Sequence, residues 1–148
     1  MNLFGEIATK SKKINASFEV NNVIPDLELQ KHGNDTVMMI NEPLDRIDQG
    51  AGIRTDKQIS FEIVKYRNTK QPNIPQARVI KEECLQIVQH VLSYIRNQQR
   101  SGQMTDVFVD GAELNPMDYF SLDWHGYRCS LSLRTPVNLA YDPDDWNE

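Results

Sequence analysis

Apolar residues recur at two periods along this chain, and the switches between them mark its elements. Leu3, Phe4, Ile7 and Ile14 fall at helical spacing and predict a short amphipathic helix within residues 2–14, interrupted by Ser11. Ala16 to Val20 reads as a short strand, and Pro25 bars a helix interior in the mixed stretch that follows. Thr36-Val-Met-Met-Ile40 is short, apolar and partly β-branched, as a buried strand requires. From Gln58 to Arg67 the period is two. Ile59, Phe61 and Ile63 point one way and Ser60, Glu62 and Val64 the other, predicting a strand with one buried face. The clearest stripe is helical: Ala77, Ile80, Cys84, Ile87, Val88, Val91, Leu92 and Ile95. Pro75 stands before it, Arg96 and Arg100 near its end, and Gly102 after it, so a helix is expected over 76–100.

Between these elements, residues 41–57 carry Pro43, Gly50 and Gly52 without periodicity and read as an extended loop. Loops of that length tend to be functional. Residues 68–75 hold Pro72 and Pro75 and are also loop. Thr105 to Asp110 reads as a strand ending in an Asp-Gly turn. Tyr119–Trp124 and Tyr127–Arg134 alternate around His125-Gly126, which predicts a C-terminal hairpin. In that register Trp124 faces Tyr127, Leu122 faces Cys129, Phe120 faces Leu131, and Asp123 faces Arg128.

Taken together, these elements predict one α+β domain over residues 1–148. It has a mostly antiparallel sheet, one long helix packed on a face, a C-terminal β-hairpin, a long loop at 41–57 and an acidic arm at 141–148. A chain of 148 residues is long enough to bury a core without staples. Two cysteines far apart, Cys84 and Cys129, do not make a disulfide framework. Both lie on apolar faces, where reduced, buried thiols are expected. The opening residues lack the plan of a signal peptide, and no apolar run approaches a membrane span, so synthesis in the cytoplasm is expected.

Net charge is −5 with a pI near 5.2, which disfavours sequence-specific nucleic-acid binding. Lys10, Lys12 and Lys13 are a local exception, most simply a solvated helix end. Gly50-Ala-Gly52 neither follows a strand nor opens a helix, as a phosphate loop must. His32, His90 and His125 stand alone, without a second ligand at metal spacing. Asp142, Asp144 and Asp145 are carboxylates of an acidic tail, expected to stay solvated. Glu62 and Lys65 are three apart, and on a strand they face opposite ways, which rules out a nuclease-type acid–lysine pair. No cofactor site or catalytic motif is expected. Asp123, His125 and Arg128 are the one polar trio the hairpin would bring together, at a tip too exposed to exclude water.

In its order of elements (N-terminal helix, strands 36–40 and 58–66, helix 76–100, hairpin 118–134) the chain resembles the small ring-forming tail-terminator and tail-completion (neck) proteins of bacteriophages. The resemblance covers about two-thirds of the chain and carries no residue motif. It implies a non-enzymatic virion structural protein that assembles into a ring, commonly a hexamer, contacting other tail or neck proteins, with no membrane partner. The loop, through Asp45, Arg46, Asp48, Arg54 and Asp56, and the arm, through Tyr141 and Trp146, would then supply interface residues. The other expectation the composition allows is an acidic binding module, of adaptor or immunity type, that recognises a basic protein.

Overall fold

The computed structural model describes residues 3–48, 54–70, 72–119, 121–136, 142–145 and 147; for 45–48, 54–56, 135 and 136 it describes the backbone. Along the chain it has α1 (Leu3–Lys10), β1 (Ala16–Glu19), α2 (Pro25–Leu29), β2 (Thr36–Ile40), β3 (Leu44–Asp48), β4 (Arg54–Tyr66), α3 (Ala77–Arg100), β5 (Val107–Tyr119), β6 (Trp124–Pro136) and a 3-10 turn at Pro143–Asp145. The strands form one mixed sheet in the order β1-β2-β4-β6-β5, with β3 beside β2 on the same edge of β4. Only β1–β2 is parallel. The fold class is therefore as the sequence predicts: α+β, mostly antiparallel, one long helix on a sheet face and a terminal hairpin.

The helix forms where its stripe requires. Ile80, Cys84, Val88, Val91 and Ile95 are its buried residues, and each aliphatic among them contributes about 1.5–3 kcal/mol by leaving water. Gly102 ends it at φ +83°, with Gln103 N–H donating to Gln98 O and Gly102 N–H to Gln99 O, both at 3.0 Å. This is the left-handed stop that glycine reaches without strain. The helix and α1 cover a core built from Phe4, Ile7, Met38, Ile40, Phe61, Ile63, Cys129 and Leu131.

Four expectations are corrected. The strand at 58–67 does not have one buried face. Phe61, Glu62, Ile63 and Val64 are all buried, because Val64 joins Leu29, Val37, Met39 and Trp124 in a second core on the far side of the sheet. Pro25 opens α2 at its first turn, where a missing N–H costs nothing, and α2 delivers Leu29 to that core.

The long loop at 41–57 is largely strand. β3 pairs with the start of β4, Leu44 opposite Gln58 through Asp48 opposite Arg54. A ladder of backbone bonds holds residues whose side chains are mostly charged, so no hydrophobic period announced it.

The hairpin exists, but in a different register. Its turn lies between Tyr119 and Trp124, with Asp123 at φ +55°, and Tyr119 faces Trp124, Asp118 faces His125 and Leu114 faces Cys129. β5 runs straight through the expected Asp110-Gly111 turn. Gly111, at φ +81°, serves a bulge there, marked by the register shift between Phe108 and Glu113. A glycine at positive φ suits a turn and a bulge equally well.

Candidate functional site

Polar side chains gather at the end of the sheet where α3 begins. The strand register aligns Lys65, His125 and Asp118 in one row across β4, β6 and β5, under the first turns of α3. His125 is 1% exposed. Its Nδ1 lies 2.7 Å from Asp118 Oδ1 and its Nε2 2.8 Å from Asp123 Oδ1. Each carboxylate holds a further cation. Lys81 Nζ donates to Asp118 Oδ2 at 3.1 Å, and Arg67 Nη1 lies 3.4 Å from Asp123 Oδ2. Arg67 Nε donates to Pro75 O at 2.9 Å and its backbone N–H to Asp123 O at 2.8 Å, tying β4, the turn and the approach to α3 together. Lys65 Nζ donates to Glu83 Oε2 at 2.9 Å beside this chain of contacts.

The hydrogen bond from His125, and after it the ammonium of Lys81, hold the Asp118 carboxyl below its usual range; desolvation works the other way. A carboxylate whose folded pKa is depressed adds stability that is full above its unfolded value, about 3.9, and is lost as pH falls through the folded value. Melting temperature should therefore fall with acid below about pH 4, and Asp118→Asn should flatten that limb. An unchanged acid limb in the variant would contradict this assignment.

A second cluster occupies the opposite face. Glu62, 1% exposed, accepts from the Tyr119 hydroxyl at 2.8 Å through Oε2, and from Arg128 Nε at 3.1 Å through Oε1, with Arg128 Nη2 2.9 Å from the same oxygen. Desolvation first, then the Glu62 charge, raises the Tyr119 phenol. Glu62 and Arg128 are register partners on adjacent strands, so an acid in an otherwise apolar run meets its base directly.

The expected trio is thus divided. Asp123 and His125 meet, as part of a buried network rather than at an exposed tip, while Arg128 turns to Glu62 across the sheet. Alternation along β6 puts positions 125 and 128 on opposite faces. Chemically, both arrangements are closed. The two nitrogens of His125 are committed to carboxylates, and Glu62 is enclosed by its donors. Asp118, Lys81, Arg67 and Tyr119 were not anticipated. They lie far from their partners in sequence, and only Glu62, a lone acid between Phe61 and Ile63, carried a local signal.

The two thiols are inert by placement. Burial pushes Cys84 up to about 12, with Lys65 opposing and Glu83 assisting, and burial alone does the same to Cys129. Neither should react with a thiol reagent at pH 8 in the folded protein, and both should titrate in denaturant; fast native labelling of either would refute this.

Asp45, Arg46, Asp48, Arg54 and Asp56 lie on the β3–β4 ladder. There Asp45 faces Lys57, Arg46 faces Asp56 and Asp48 faces Arg54, and Asp56 also faces Arg134 of β6. Opposite charges occupy every one of these positions. Tyr141 and Trp146 lie outside the described residues, as does the Gly50–Gly52 segment. Among the described residues no group of three or more His, Cys, Asp and Glu is placed to hold a metal ion, and no helix is long and apolar enough to cross a membrane. No protein-family model matches the chain, and no curated protein matches it.

Proposed function

We propose that the protein is a structural subunit that acts by self-association, of the ring-forming tail-terminator or neck type that its order of elements resembles. One observation carries this reading. The sheet continues beyond the Val107–Leu133 pair as a ladder of three strand ends, residues 46–48, 54–56 and 134–136, and among the described residues the outer strand of that ladder, β3, pairs only with β4. Among the described side chains of β4 the first in the core is Ile59; Gln58 is exposed, and Leu44, at the head of β3, is 67% exposed. An open strand edge with an exposed apolar residue is a template for another chain, and the facing charges along it suit a polar, wet contact. The closed polar networks fit a role in positioning strands rather than in turnover.

Light scattering across a concentration series tests the reading. A discrete species near six protomers, or a monomer that closes into such a species as concentration rises, supports it, and Leu44→Lys should shift that equilibrium toward monomer. A chain that stays monomeric at high concentration and binds a basic protein in a salt-dependent way would instead support the acidic adaptor.

A further inference from the structure

A concavity of ≈350 Å³ lies between the end of α1 and the middle of α3, and its walls are mainly apolar, with Ile7 and Tyr94 among the residues that line it. Three exposed lysines, Lys10, Lys12 and Lys13, stand around it. Their hydrogen bonds run to groups other than carboxylates: Lys10 Nζ donates to the Tyr94 hydroxyl at 3.4 Å, Lys13 N–H donates to Ser11 Oγ at 3.1 Å, and Ser11 Oγ lies 3.0 Å from His90 Nε2. Among the described residues none of the three lysines pairs with a carboxylate. In a chain of net charge −5 this is a basic rim around an apolar floor, with no carboxylate among the described residues paired to it.

The chain also carries the complement. Residues 141–148, Tyr-Asp-Pro-Asp-Asp-Trp-Asn-Glu, set two aromatic residues among four carboxylates, Asp142, Asp144, Asp145 and Glu148. An aromatic side chain flanked by acids fits an apolar floor with a cationic rim. The ring supplies desolvated area, and the charges supply steering and register. The described part of this segment makes its hydrogen bonds within itself, Asp144 N–H to Asp142 Oδ1 at 3.0 Å and Asp145 N–H to Asp142 O at 3.2 Å. It is exposed, and it does not line the concavity of its own chain.

We propose that segment 141–148 of one copy docks in the Lys10–Lys12–Lys13 concavity of a second copy. The inference rests on the self-association reading and gives it a contact. Two different surfaces meet, so the contact is heterologous; repeated, it closes a ring when the rotation permits and otherwise runs on as a filament.

The test uses the full chain in two measurements. Light scattering compares the parent with Lys12→Glu/Lys13→Glu, with Asp144→Lys/Asp145→Lys, and with all four changes combined. Separately, a labelled peptide of residues 139–148 is titrated into the parent and into the lysine variant. All the substitutions are on exposed positions, and circular dichroism checks that the fold is kept. Each charge reversal alone is expected to weaken self-association by about tenfold or more, the combination to restore it, and peptide binding to fall by a similar factor in the lysine variant and with added salt. Unchanged self-association of Lys12→Glu/Lys13→Glu overturns the docking and leaves the assembly reading standing. A parent that stays monomeric overturns the assembly reading and the docking between copies with it; peptide binding that is lost on charge reversal would then reassign the concavity to the segment of its own chain. Pyrophosphate binding at the lysines without peptide binding reassigns the concavity to a phosphate ligand and also overturns it.

Discussion

Gly126→Ala should lower stability by about 3 kcal/mol or more, at or above the top of the usual cost of overpacking a core. Gly126 sits in β6 opposite Val64 of β4 and Met117 of β5. A Cβ there would stand 1.8 Å from the Ile63 carbonyl oxygen and 2.9 Å from Val64 Cα. Both obstacles are backbone in the middle of a sheet, so no rotamer change relieves them. Relief requires β4 and β6 to part, at a point where core clusters lie on both faces. The melting temperature should fall by on the order of 10 °C for a domain of this size. Gly33→Ala is the control: an added Cβ meets nothing within 4 Å, and the change should be near neutral or slightly stabilising. Thermal unfolding of both variants side by side decides the matter. Equal stability of the two would mean that the strands do not approach as closely as the structure has them.

Arg128→Ala should cost about 3–5 kcal/mol, the usual range for leaving one partner of a buried ion pair alone. The asymmetry of the pair sets the direction. Glu62 is 1% exposed, whereas the Arg128 side chain is 41% exposed. Without Arg128, the carboxylate keeps the Tyr119 hydroxyl but loses its charge partner and two donated hydrogen-bond contacts. Without the carboxylate, the guanidinium turns to solvent. Glu62→Gln should therefore be the milder change. Arg128→Lys should fall between the two, because a point charge cannot reproduce Nε and Nη2 converging on one oxygen. Replacing both residues with leucine should recover much of the loss. Denaturant titrations of these variants test the ordering; a Glu62→Gln loss larger than that of Arg128→Ala would reverse the account.

Both residues show what local pattern conveyed and what it did not. Gly126 was visible as a turn signal beside His125, and in isolation Gly invites that reading. The structure uses it instead for close approach between strands, and the turn includes 121–123, with Asp123 in the left-handed region. Glu62 was visible as the polar face of an alternating strand. It is buried because α2, too short to announce itself, helps to cover that face. The β3–β4 ladder was hidden for a related reason: strand pairing is a backbone property, and residues 44–48 and 54–57 have charged side chains in place of an apolar period.

What the sequence determined alone was the set of elements whose own side chains provide the drive. The α3 stripe, the mostly apolar run of β2 and the apolar face of β4 are each specified by their own side-chain pattern, since burying that stripe or face is what forms the element. The resulting class, a mostly antiparallel α+β sheet under one long helix, followed from those elements. Tertiary structure decided the register of the hairpin, the second covered face, and the meeting of Asp118, His125 and Asp123 beneath Lys81. These depend on which strand lies beside which. That choice is made by contacts between residues such as Glu62 and Arg128, distant in the chain, whose affinity for one another leaves no period in the sequence.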